Sequence, residues 1–119
     1  MKSKVYLETT ILSYLAARKS KDPRTAQRQI VTRRWWELKR NAFDLYVLRG
    51  GFPDVAEADS VHVAAATVYE CDYLVTWNIR HIANGEIRRL TERIIREHGY
   101  QTTTICTPEE LFGLEALGR

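Results

Sequence analysis

At 119 residues the chain is sized for one domain with a single set of packed layers. Its 45% hydrophobic and 28% charged content is ordinary for a globular protein and excludes low complexity, and no apolar run nears the roughly 20 residues that span a bilayer. A formal charge of +3 with a pI near 9.0 permits a polyanionic partner without demanding one.

The opening MKSKVYLETT is basic but has neither a long apolar region nor a small-residue cleavage site, so no signal peptide is expected and the inferred compartment is the cytoplasm. Lys4–Leu7 is a short strand, followed by Thr9-Thr10 and an apolar helix over Ile11–Ala17. Asp22-Pro23 pairs an N-cap with proline at the first helical position and opens a helix to about Arg40, with Ile30, Val31, Trp35 and Leu38 as its apolar stripe. Basic residues crowd Arg18–Arg40, opposed there by Asp22 and Glu37 alone; Arg88, Arg89, Arg93 and Arg96 form a second group. Such faces are solvated surface or a means of neutralising nucleic-acid phosphates.

Phe43–Leu48 is the second strand, stopped by Gly50-Gly51-Phe52-Pro53. An alanine-rich helix covers roughly Val55–Glu70, where Ala64-Ala65-Ala66 allow a neighbour to approach closely. Tyr73–Thr76 is the third strand, and Gly85–His98 a helix with Ile87, Leu90, Ile94 and Ile95 inside and Gly99 as its C-terminal cap. Thr103–Cys106 is the last strand, and Thr107-Pro108-Glu109-Glu110 is a capping box that starts a final helix. Cys71 and Cys106 are expected as reduced core residues. Strands alternating with helices predict a three-layer α/β/α domain with a mostly parallel sheet of about four strands.

In open parallel sheets, sites form beyond the carboxyl ends of the strands, near a switch in strand order. Glu8 follows the first strand, Thr76-Trp77-Asn78 the third, and Asp59 opens the alanine-rich helix. Should they share one edge, two carboxylates and an amide oxygen suit a hard cation such as Mg²⁺ or Mn²⁺, whereas no Cys/His cluster has zinc spacing. Each residue also has a structural reading. Glu8 complements a helix dipole, Asp59 caps a helix, Asn78 stops a strand, His62 packs in a core, and His81 steadies a turn.

Taken in order, YLETTILSYL, EADSVHVAAA, CDYLVTWNIRHIAN and ICTPEEL resemble the PIN-domain proteins, specifically VapC-like toxins of bacterial toxin–antitoxin pairs. The resemblance runs through most of the chain. It implies a metal-dependent ribonuclease: Glu8 stands in the place of the first acid, Asp59 matches the acid of the later helix, Asn78 falls where many members carry Asp, and Thr76 is its strand-end companion. Trp77 would pack beside that pocket and His81 would hold the following loop. The implied partners are RNA, a cognate antitoxin and a second copy of the chain, with no membrane.

The chain departs from the family after the second strand, where Leu48-Arg49-Gly50-Gly51 lacks the expected acid. Relative to the family, the single domain over 1–119 is shortened between residues 48 and 50 by a helical stretch, with Asp54 or Glu57 as a substitute acid. The expected function is Mg²⁺- or Mn²⁺-dependent endonucleolytic RNA hydrolysis. The alternative is a catalytically impaired PIN-like remnant that binds RNA or protein. A structural role for a Trp35-Trp36 surface is a third.

Overall fold

A computed structural model describes residues 2–47, 55–80 and 82–112, with side chains from 61 onward in the helix that starts at Val55. The strands are β1 (Ser3–Leu7), β2 (Phe43–Tyr46), β3 (Tyr73–Val75) and β4 (Thr104–Cys106). They form one parallel sheet in the order β2-β1-β3-β4. The helices are α1 (Thr9–Ala16), α2 (Pro23–Lys39), α3 (Val55–Val68) and α4 (Gly85–Glu97).

Alternation along the strands divides the core between two faces. Val5, Leu7, Val75 and Cys106 pack with Ile11 and Trp35 from α1 and α2, while Tyr6, Leu74 and Ile105 pack with Ala66 from α3. The architecture is therefore the expected three-layer α/β/α. Because β1 connects to β2 across one face and β2 returns to β3 across the other, the winding reverses between β1 and β3. That reversal is the topological switch point.

Local signals explain most element ends. Asp22 caps α2 by accepting the Thr25 N–H at 2.8 Å, and Pro23 occupies the first turn. Asn84 caps α4 through the Glu86 N–H. Beyond α4, Gly99 takes φ +80° while Tyr100 N–H reaches back to Ile95 O, closing the helix as expected. Cys71 and Cys106 are unbridged and buried.

Four expectations change. The buried face of α2 is Gln29, Thr32 and Trp35, whereas Ile30 and Leu38 are 52% and 66% exposed. Gln29 turns inward because its amide bonds the Ser20 N–H and the Arg18 carbonyl, satisfying the backbone between α1 and α2. On α4, Ile95 is buried but Leu90 and Ile94 face out. After β4, the capping box forms, with Thr107 N–H donating to Glu110 Oε1 at 2.9 Å, yet the described backbone through Phe112 is a turn. Trp35 is fully buried and stacks on Phe43, so a joint Trp35-Trp36 surface does not exist. Of the three alanines, Ala66 is buried and Ala64 exposed. The expected shortening between residues 48 and 50, and Asp54 as a substitute acid, lie outside the described residues.

Candidate functional site at the carboxyl edge of the sheet

Pairing of Leu7 with Val75 brings the residues just beyond β1 and β3 side by side across the switch point. Glu8 continues the extended backbone (φ −76°, ψ 161°) and donates its N–H to Val75 O at 3.0 Å. One step past Leu7, strand alternation turns position 8 toward the side of Tyr6, the side covered by α3.

Glu8 is only 4% exposed. Its Oε1 accepts the Thr10 N–H at 3.0 Å, the Thr10 hydroxyl at 2.5 Å and the Thr76 hydroxyl at 2.7 Å. The first of these makes Glu8 the N-cap of α1, so its structural reading holds. The Thr76 bond goes beyond capping, because it ties the cap of α1 to the end of β3. Among the described residues every hydrogen bond to this carboxylate ends on Oε1, which leaves Oε2 uncommitted.

The hydroxyls relay the contact onward. Thr76 Oγ1 accepts the Asn78 N–H at 2.9 Å, and Thr10 Oγ1 accepts the Trp77 N–H at 2.9 Å. Trp77 is buried in the core beside α1 and α2, as expected of a packing residue, and its indole N–H donates to Thr32 Oγ1 at 2.6 Å. Over that ring lies the Arg28 guanidinium, 5.4 Å from the centroid. A half-buried cation thus stands beside the strand-end loop.

On the α3 side, His62 is buried between Tyr6 and Thr9. Its Nδ1 lies 2.7 Å from the Tyr6 hydroxyl and its Nε2 lies 3.0 Å from Thr9 Oγ1. Burial, helped by the negative charge of Cys71 and Glu8 nearby, pushes the Tyr6 phenol up to about 12. These contacts put position 62 of α3 next to the residue that follows Glu8. Asp59 sits in the backbone of α3 three residues earlier, a spacing that shares one helix face. The side chains of Asp59 and Glu57, and His81, lie outside the described residues.

Thr10, Thr32 and Arg28 were not singled out by the sequence reading. Thr10 had a local signal, a hydroxyl two residues after an acid at a helix start. Thr32 had a weaker one, the spacing Gln29–Thr32–Trp35 along one face of α2. Nothing local connects Thr32 or Arg28 to Trp77.

The oxygen donors match a hard cation in kind. In number, no group of three His, Cys, Asp or Glu gathers among the described residues. No described helix is long and apolar enough to cross a membrane. Comparison with protein-family models, curated proteins and solved structures gives no match to the chain.

Proposed function

We propose that the protein is a metal-dependent endoribonuclease of PIN-like design, acting as the toxin of a toxin–antitoxin pair. The observation that carries the site is the Glu8–Thr76 contact at the switch point, where every hydrogen bond to a buried carboxylate among the described residues ends on the same oxygen. The ribonuclease chemistry and the pairing with an antitoxin rest on the resemblance of the four sequence segments.

Glu8 would hold Mg²⁺ or Mn²⁺ through Oε2 together with Asp59, and Asn78 would orient a water. When bound, such an ion polarises a phosphodiester and lowers the pKa of the attacking water. Thr10 and Thr76 fix the Glu8 carboxylate through Oε1, so the ligating group is oriented before anything binds. Arg28, anchored on Trp77, offers a cation for a backbone phosphate, a contact that positions RNA without reading its sequence.

The test is cleavage of RNA with Mg²⁺ or Mn²⁺ by wild type, Glu8→Gln and Asp59→Asn. Both variants are expected to lose activity, and equal activity in all three sinks the assignment. The absence of a three-ligand cluster among the described residues favours a second reading, a PIN-like module that binds RNA or protein without cutting. Mn²⁺ titration separates the two. An ion that binds the folded state raises the melting temperature with concentration, and no shift at millimolar metal favours the non-cutting module.

A further inference from the structure

We propose that His62 is a positioning residue: by bridging Tyr6 and Thr9 it fixes the rotation of α3 that presents position 59 to Glu8. His62 is 2% exposed, and its two ring nitrogens reach residues that flank Glu8 in the chain. Nδ1 lies 2.7 Å from the Tyr6 hydroxyl on β1, and Nε2 lies 3.0 Å from the Thr9 hydroxyl at the start of α1. The Tyr6 and His62 rings also meet edge to face, with centroids 5.5 Å apart and planes at 65°. A neutral imidazole donates from one nitrogen and accepts at the other, and a hydroxyl can take either part, so both contacts are satisfied at once. One such contact would let α3 turn about it; two contacts, to different elements, do not.

The helix carries this constraint to the carboxyl edge. α3 leads from β2 to the parallel β3, so it runs against the strands and its first turns stand nearest their carboxyl ends. Positions 59, 62 and 66 follow the spacing of one helix face. Ala66 is fully buried and packs with Tyr6 and Leu74, and its carbonyl accepts the Cys71 N–H at 2.9 Å. That small side chain lets the helix lie close to the sheet but does little to stop it rotating, whereas the doubly held ring of His62 does. Position 59 is three residues nearer the edge, about 4.5 Å along the axis, on the side of Glu8. The inference rests on the reading of Glu8 and Asp59 as ligands of one ion, and adds what aims the second of them. The hydroxyls that fix Glu8 belong to α1 and to the end of β3, so the orientation of α3 needs a contact of its own.

Chemical denaturation of the metal-free chain reads the clamp, and Mn²⁺ affinity reads its consequence. In the first measurement, His62→Phe keeps a ring and removes both contacts. Combined with Tyr6→Phe or Thr9→Val, it is expected to shift the midpoint by less than the two single shifts together. In the second, Tyr6→Phe is the telling variant, because the hydroxyl it removes bonds His62 and not the carboxylate. At a temperature where every variant is folded, Mn²⁺ binding is expected to weaken about tenfold in Tyr6→Phe, Thr9→Val and His62→Phe alike, the loss typical of partners that orient a metal ligand. Should His62→Phe fail to fold, Tyr6→Phe, Thr9→Val and their double variant carry both measurements. Additive midpoints overturn the clamp. Coupled midpoints with unchanged Mn²⁺ affinity leave the ion site standing and overturn the positioning role. A wild type that binds no Mn²⁺ removes the ion site and the positioning role together.

Discussion

Glu8 is held by hydroxyls and an amide, without a described cation against it. An acid buried this way is oriented rather than neutralised, and each donor matters more than a neutral hydrogen bond would. Thr76 is fully buried and serves two partners, donating to Glu8 and accepting from Asn78. Thr76→Val keeps the shape and removes both contacts. It is expected to cost about 1.5–3 kcal/mol in chemical denaturation, the range for hydrogen bonds to charged groups. A cost below about 0.5 kcal/mol would mean that the carboxylate is solvated in place of being gripped. The acid itself was legible from the sequence, since Glu8 ends an apolar strand. Its grip was not, because Thr76 is 68 residues away and hydrogen bonds at that separation have no local signature.

At the scale of elements, helix ends follow short-range chemistry and were read correctly at Asp22-Pro23, Gly85 and Gly99, whereas the Asn84 cap of α4 was not singled out. Two C-terminal ends invite a paired comparison. Gly99 and Glu70 both adopt positive φ, at +80° and +55°, each followed by a residue whose N–H returns to the helix. Glycine tolerates that conformation, whereas a residue with a Cβ is strained by about 1 kcal/mol or more. Gly99→Ala is expected to destabilise by about 1 kcal/mol through backbone strain alone, since an added Cβ meets nothing within 4 Å. Glu70→Gly is expected to act with the opposite sign. Melting temperatures of the two variants check the pair, and a shared sign would refute the backbone argument. The faces of α2 and α4 were harder to read than their ends. Apolar periodicity nominated Ile30, Leu38, Leu90 and Ile94 as buried, but each sheet face accepts only the side of a helix that also satisfies the intervening loops. For α2 that side carries Gln29 and Thr32.

For the molecule as a whole, the two-faced core sets the response to alkali. Burial pushes the Cys106 thiol up to about 12 from an ordinary 9.0, and the Tyr6 phenol up to about 12 from 10.0. Above pH 9 the unfolded chain releases these protons while the native protein keeps them. Stability is therefore fully present below the unfolded values and is lost as pH rises from about 9 toward 12. Urea midpoints measured across that window are expected to fall, and Cys106→Ala is expected to flatten the fall. A midpoint that stays level would place both groups in solvent. At neutral pH the same burial leaves the thiols unreactive until the protein unfolds.

By itself the sequence determined the α/β class, the four strands, the Asp22-Pro23 start of α2, the Gly99 end of α4 and the polar residues at the strand ends. These follow from side-chain periodicity and from contacts spanning a few positions, which one chain displays directly. Only tertiary structure decided that β1 and β3 are neighbours. That neighbourhood brings Glu8 and Thr76 within 2.7 Å, sets Arg28 over Trp77 and lays His62 against Thr9. The physical reason is that strand order depends on which helix covers which sheet face, a choice made by packing both cores at once and written in no single segment.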